Sequence, residues 1–262
     1  MHQYLFFIGN FPIRLYGIFF SLGIISGCIT AYFLLKKDRQ GWESHMFDLG
    51  LVIAFAGIVG GRLWDVFFFD WEYYHNHLLE IPYIWQGGMA IQGGIIFACI
   101  AAYFYLKKHQ IPVLPFADTV TPGIILGQAI GRIANFMNGD AFGHPTGQDF
   151  GLLYPDTTLA YHTYGAQPLW PAEVWECQGD LLIFVLLLWY GCKTRAEGTT
   201  FCLYIMFYSL LRFFLENYRG DYGTLALGLK SAQLTSLAAF AGAFILFLYF
   251  HFKHKSKSGI SE

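Results

Sequence analysis

The sequence predicts an all-α integral membrane protein with seven transmembrane helices, its N-terminus outside and its C-terminus in the cytoplasm. Three observations support this prediction. Of the 262 residues, 55% are apolar and only 13% are charged, whereas an average soluble domain is about 25% charged. The apolar residues gather in seven runs, and basic residues follow every second run.

The seven apolar runs set the order of the predicted spans. A helix needs about 20 apolar residues to cross the hydrocarbon core of a bilayer. The odd-numbered runs are strongly apolar, whereas the even-numbered runs each carry charged residues. No basic residues precede the first apolar residues, so we expect the first span to be retained rather than cleaved as a signal peptide. The spans are residues 15–35, 47–69, 88–106, 116–138, 174–192, 199–218 and 231–252.

The loop charges predict the orientation. Ten basic residues follow the odd-numbered spans, and three lie in the alternate loops. Cytoplasmic loops carry the excess of Lys and Arg, which puts the C-terminus in the cytoplasm. The ten are Lys36, Lys37, Arg39, Lys107, Lys108, Lys193, Arg195, Lys253, Lys255 and Lys257, and the three are Arg14, Arg219 and Lys230.

Two longer segments, residues 70–86 and 139–172, fall on the predicted outer side. Neither contains Lys or Arg, and both are rich in Tyr, Trp, His and acids. Aromatic rings favour the membrane interface, so we expect both segments to lie along the outer membrane face. No stretch reads as a separate soluble domain, and residues 1–262 are expected to form a single transmembrane domain.

The charge balance and the cysteines exclude two classes of function. A net charge of -2 gives no basic surface for nucleic acid. The five cysteines form no CxxC pair, and no Cys/His spacing suits a metal, so no metal site is expected.

Polar residues inside the predicted spans indicate a functional site, because an arginine at bilayer depth costs about 2.5–3.5 kcal/mol on insertion scales. Arg132 and Asn135 lie toward the outer end of the fourth span. Tyr208, Arg212 and Glu216 repeat every four residues near the outer end of the sixth, so they share one helix face.

Arg132 has no acid within one turn of its own helix except Asp140, which lies beyond the span. A lipid phosphate fits, because a guanidinium matches phosphate oxygens in a bidentate way. The alternative is that the membrane arginines form internal salt bridges that hold the helices together, such as Arg62 with Asp65 or Arg212 with Glu216.

Paired glycines flank Gln92 in WQGGMAIQGG. Gly93 and Gly94 would allow either close packing of helices or approach of the backbone to a ligand, and both interpretations stay open.

GRIANFMNGDAFG (131–143) resembles the signature of the prolipoprotein diacylglyceryl transferase family. RLYGIFFSLG, GGRLWDVFF, WQGGMAIQGG and YSLLRFFLENYRGD resemble further motifs of that family, in the same order and over nearly the whole chain. Several motifs in one order are much more specific than any one alone.

The resemblance implies an enzyme of the bacterial inner membrane with its active site toward the outer leaflet. Such enzymes move a diacylglyceryl group from phosphatidylglycerol to the lipobox cysteine thiol in a prolipoprotein signal peptide, and glycerol phosphate leaves. The implied partners are phosphatidylglycerol, the prolipoprotein and membrane lipids, with no cofactor.

The resemblance also implies roles for particular residues. Arg132 and Arg212 would grip and polarise the phosphate. The implied catalytic residues are Arg132, Arg212, Gln92, Tyr16 and Tyr208. The implied substrate-binding residues are Asn135, Asn138, Asp140, Gly143, Glu216, Arg219, Gly93 and Gly94.

Three departures from the family pattern concern proton transfer. Gln92 stands where the family usually has His, and Asp140 where it has Glu. WPAEVWE (170–176) replaces a segment usually reading H-P-x-Q-L-Y-E. Glutamine cannot accept a proton at neutral pH, so this chain would need another base or work without one. Most of the histidines in the outer segments are expected to lie at the membrane interface without a catalytic role, although one of them could replace the missing imidazole; they are His75, His77, His144 and His162.

Two other functions remain open. Membrane arginines and glycine-interrupted helices also suit an anion pathway, although the polar residues gather in the outer half. A non-catalytic lipid-binding relative is the second alternative, which Gln92 and Trp170 favour.

Overall fold

The computed structural model describes residues 3–9, 11–38, 40–191, 196–220 and 228–258. Within these residues the chain is mostly helical, as predicted. Some residues used above lie outside the described part, namely Arg39, Cys192, Lys193 and Arg195, together with the side chain of Lys257.

Long helices occupy all seven predicted spans. They are α1 (Leu15–Lys37), α2 (Met46–Trp64), α4 (Ile91–Lys108), α5 (Val113–Asn138), α7 (Ala172–Gly191), α8 (Thr199–Leu215) and α9 (Ser231–Ser258). Two short helices, α3 (Trp71–Tyr74) and α6 (Leu159–Tyr164), lie in the predicted outer segments.

Five of the described helical stretches are long and apolar enough to cross a membrane. They are Leu15–Lys37, Trp42–Phe69, Val113–Asn138, Thr199–Tyr218 and Ser231–Lys255. The stretches around α4 and α7 are not among them, so the count of seven spans stays a prediction. In α7 the acids Glu173, Glu176 and Asp180 interrupt the apolar run.

An antiparallel hairpin precedes α1 and was not foreseen. It consists of β1 (Tyr4–Ile8) and β2 (Phe11–Arg14), and Tyr4 pairs with Arg14. Gly9, at the turn, has φ 59°, which a glycine adopts without strain. The strands are too short and too uniformly apolar to show an alternating pattern.

The chain divides into two compact units, and residues 35–116 form one of them. In this unit α2 packs closely on α4 through glycines. A Cβ on Gly93 would overlap the carbonyl oxygen of Gly60 and the side chain of Trp64. Gly60 and Gly93 therefore allow α2 and α4 to pack closely. For Gly93 this is the first of the two interpretations that the sequence left open.

Arg62 organises the segment that leads into α4. Its guanidinium donates to the carbonyl oxygens of Ile81 at 2.8 Å, Gly87 at 2.7 Å, Gly88 at 3.0 Å and Glu80 at 3.1 Å. Asp65 lies 4.0 Å away. The predicted role of Arg62 in internal bonding therefore holds, but backbone carbonyls rather than Asp65 are its main partners.

Residues 1–34 and 117–262 form the other unit. Here α1 and α5 approach closely, since a Cβ on Gly27 would lie 2.7 Å from the carbonyl oxygen of Gly123. Asp118 of α5 fixes the start of α8 by accepting hydrogen bonds from the amides of Gly198 at 2.7 Å and Phe201 at 2.8 Å. Ile125 of α5 also packs with Ile183 of α7 and Leu203 of α8, and these three helices carry the candidate site.

Candidate active site

The end of α5 presents Arg132 and two amides. Asn135 and Asn138 donate to the two carboxylate oxygens of Asp140, at 2.6 and 2.7 Å. Gly139, with φ 73°, ends the helix and turns the chain so that Asp140 faces back to both amides. The predicted group Arg132, Asn135, Asn138 and Asp140 is thus brought together, and the amides hold the carboxylate.

Glu176 of α7 lies at the centre of the site and is fully buried. Its carboxylate is 2.6 Å from Arg132, 3.2 Å from Arg212 and 3.5 Å from Arg219. Three guanidinium groups from two other parts of the chain therefore share one anion. A buried carboxylate with such partners fixes the position of each cation.

The polar face predicted on α8 lies against this carboxylate. Tyr208 donates its hydroxyl hydrogen to Glu176 at 3.2 Å and accepts from Arg132, also at 3.2 Å. Arg212 contacts Glu216, one turn later, at 2.9 Å. The four-residue spacing thus places Tyr208, Arg212 and Glu216 in one cluster, as predicted.

Arg219 is held by a backbone contact with the 139–172 segment. Gly143 pairs with Arg219 in an antiparallel bridge, and the amide of Gly220 donates to Phe142 at 3.0 Å. A side chain on Gly143 would overlap the backbone and Cβ of Trp170. Gly143 therefore shapes the site through close backbone packing.

The three arginines differ in how much of each side chain is exposed. The side chain of Arg219 is only 4% exposed, whereas those of Arg132 and Arg212 are 20% and 15% exposed. Arg219 is therefore buried, and its predicted role in substrate binding stays a prediction. The side chains of Arg132 and Arg212 stay partly exposed.

A cleft of about 330 Å³ opens beside Arg132. Residues of α5 and α7 line it, and its wall is otherwise mainly apolar. The lining residues are Arg132, Ile133, Phe136, Glu173, Val174, Cys177 and Gln178. The arrangement suits an amphiphilic ligand, with a cation at one place and apolar walls beside it.

The remaining predicted site residues are placed as follows. Tyr16, half-buried on α1, lies in the electrostatic field of Asp140 and Arg132. Gln92 is exposed on α4, within the unit of residues 35–116, and Gly93 there packs on α2. The roles of Gln92, Gly93 and Gly94 toward a substrate stay predictions.

Glu176 and Glu173 were not among the predicted site residues. Arg132 has no acidic partner within one turn of α5, and its partner comes from α7, on another helix. A signal did exist, because Glu173, Glu176 and Asp180 fall on one face of an otherwise apolar helix. His75, His77 and His144 form hydrogen bonds with backbone oxygens, and the expectation that the histidines have no catalytic role stays a prediction.

Comparison with known proteins agrees with the geometry. Residues 3–249 match the family model of prolipoprotein diacylglyceryl transferase. A phosphatidylglycerol–prolipoprotein diacylglyceryl transferase of Clostridium botulinum (strain Langeland) is 35% identical, over 90% of this chain and 92% of its own. The protein of the same name from Staphylococcus saprophyticus is 36% identical, over 88% of this chain and 82% of its own. The chain therefore belongs to the prolipoprotein diacylglyceryl transferase family.

Proposed function

We propose that this protein transfers the diacylglyceryl group of phosphatidylglycerol to the lipobox cysteine thiol of a prolipoprotein. The thiol sulfur attacks the glycerol carbon that carries the phosphate ester, the carbon–oxygen bond breaks, and glycerol phosphate leaves. The observation that supports this proposal most is the pair Arg132 and Arg212, held on one buried carboxylate with each arginine side chain partly exposed.

The charge distribution suits a phosphodiester. Arg132, Arg212 and Arg219 share the two carboxylates of Glu176 and Glu216, so a monoanionic headgroup would meet guanidinium groups that are already held in place. Negative charge grows on the phosphate as the carbon–oxygen bond breaks. Fixed guanidinium groups stabilise that charge in a site of low dielectric constant, which lowers the barrier.

The cleft gives the diacylglycerol part of the lipid a place to lie. Apolar side chains of α5 and α7 line it next to Arg132. A phosphate bound at Arg132 would thus leave the attached glycerol and acyl chains against Ile133, Phe136 and Val174. Headgroup and chains would be recognised by adjoining surfaces, as an amphiphilic substrate requires.

The membrane arrangement is part of the proposal. The apolar runs predict seven spans. The loop charges predict an outer N-terminus and a cytoplasmic C-terminus. In that orientation the arginine cluster lies toward the outer leaflet of the bacterial inner membrane, where exported prolipoproteins emerge. Cysteine accessibility tests this topology: a cysteine at Glu72 should react with an impermeant reagent added outside intact cells, and one at Lys255 should not.

The activity is tested with purified protein, phosphatidylglycerol and a lipobox peptide, with glycerol phosphate release as the readout. We expect release that requires the peptide cysteine, with no release from a peptide carrying serine there. Lipid binding without release would favour a non-catalytic lipid-binding protein. Anion flux into liposomes without transfer would favour a transporter.

Gly143→Ala tests the backbone contact that holds Arg219. The added methyl group would meet Trp170 and push the 139–172 segment away from Arg219. We expect transfer to fall roughly 100-fold, because a displacement of about 1 Å can cost that much. Gly242→Ala is the control, since no atom lies within 4 Å of its added Cβ. Equal transfer rates in the two variants would contradict the role of Gly143.

A further inference from the structure

Glu173 is a buried carboxylic acid that the phosphate site leaves unused. It is the second residue of α7 and is fully buried. Tyr154 donates a hydrogen bond to its Oε1 atom, whereas Oε2 has no hydrogen-bond partner among the described residues. A buried carboxylate oxygen without a donor is costly, so its presence calls for an explanation.

The position of Glu173 gives that explanation. It lies in the wall of the same cleft as Arg132. A lipid whose phosphate contacts Arg132 would therefore react inside a cleft that Glu173 helps to form. The thiol that attacks this lipid must lose its proton in the same place, because the thiolate is the nucleophile.

Of the other acids near the site, Asp180 is fully buried and makes no hydrogen bond among the described residues, but it does not line the cleft. The remaining acids are already engaged. Glu176 contacts three arginines, and Glu216 contacts Arg212. Asp140 accepts from Asn135 and Asn138. Accepting a proton would break up these contacts. Glu173 keeps one oxygen free of any donor, so a proton can bind there while the arginine cluster stays intact.

The groups that face Glu173 favour a proton acceptor near neutral pH. Glu173 precedes the predicted span 174–192, and burial raises the pKa of its carboxyl group to about 7, against the lowering effects of the Tyr154 hydrogen bond and Arg219. Asp140 raises it further. Burial also raises the pKa of Tyr154, which keeps that phenol a hydrogen-bond donor. A base works best when its pKa lies close to the operating pH.

We propose that Glu173 is the catalytic base that takes the proton from the lipobox thiol. This assignment rests on the proposed transferase function. The sulfur–hydrogen bond breaks and its proton moves to Oε2 of Glu173. The sulfur–carbon bond forms as the carbon–oxygen bond breaks, and glycerol phosphate leaves with that electron pair as a dianion. Glu173 then returns the proton to water as the products depart.

The test compares pH–rate profiles of glycerol phosphate release for wild type and Glu173→Gln, which keeps an acceptor for Tyr154. The wild-type rate should rise with pH through about 7, because only ionised Glu173 accepts a proton. Glu173→Gln should lose about 100-fold or more at pH 7. Its rate should recover as pH passes about 8.5, where the free thiol ionises unaided.

The control is Glu80→Gln, because Glu80 also accepts a hydrogen bond from a tyrosine, Tyr73, but is not among the cleft-lining residues. It should keep the wild-type profile. Glu173→Asp keeps a carboxylate and should restore part of the rate at pH 7, which a purely structural role would not require.

Two outcomes overturn the assignment. One is a Glu173→Gln profile identical to that of wild type. The other is a wild-type rate that does not change between about pH 6 and 8. Absence of release by wild type at every pH would instead contradict the proposed function itself, so the two failures are distinguishable.

Discussion

Replacing Arg132 by alanine is expected to lower glycerol phosphate release by about 100- to 1,000-fold, the usual effect of removing a group that stabilises transition-state charge. Arg132 lines the cleft, and its side chain is partly exposed. Its loss should weaken both the grip on the phosphate and the stabilisation of the leaving group. The variant should stay folded, because Glu176 keeps its contacts with Arg212 and Arg219. Peptide-dependent release by purified protein measures the effect.

Arg14→Ala is the matched control for charge. Arg14 is exposed at the end of β2, and its guanidinium lies 5.9 Å from the ring of Tyr4. Its removal deletes the same positive charge outside the cluster and should leave transfer unchanged. If Arg132→Ala turns over at the same rate as Arg14→Ala, Arg132 does not bind the phosphate.

Glu176→Ala is the second prediction with a large effect. It removes the shared anion of three buried or half-buried guanidinium groups. Arg212 and Arg219 still have Glu216, whereas the hydrogen bonds left to Arg132 among the described residues go to Asn135 and Tyr208. Breaking one side of a buried ion pair costs about 3–5 kcal/mol. We expect transfer to be lost and the unfolding temperature in detergent to fall by on the order of 10 °C.

Glu72→Ala gives the comparison for this variant, because Glu72 is an exposed acid on α3. Its unfolding temperature should match that of wild type. If Glu176→Ala unfolds at the same temperature as Glu72→Ala, Glu176 does not hold the arginines together and the description of the cluster is wrong.

The sequence predicted most of the helices because hydrophobic length and local spacing are properties of neighbouring residues. The same reasoning placed Tyr208, Arg212 and Glu216 on one face, and the structure confirms that they meet. The N-terminal hairpin was not predicted, because strands of five and four residues are too short to show a clear alternation of apolar and polar residues.

The central carboxylate could not be predicted in the same way. Pairing of Arg132 with Glu176 joins residues on different helices, and a single sequence does not show which helix faces which. The same holds for Arg62, whose main partners are the carbonyl oxygens of Ile81 and Gly87. Every residue has a carbonyl oxygen, so the residue types at these positions do not reveal such partners. Local spacing thus predicted which faces are polar, and tertiary packing decided their partners.

The most direct measurement of the central claim is an experimental structure of the protein with phosphatidylglycerol bound. The account predicts phosphate oxygens within about 3 Å of the guanidinium nitrogens of both Arg132 and Arg212. It also predicts acyl chains along the cleft between α5 and α7. A phosphate bound away from both arginines, with the cluster unchanged around Glu176, would contradict it.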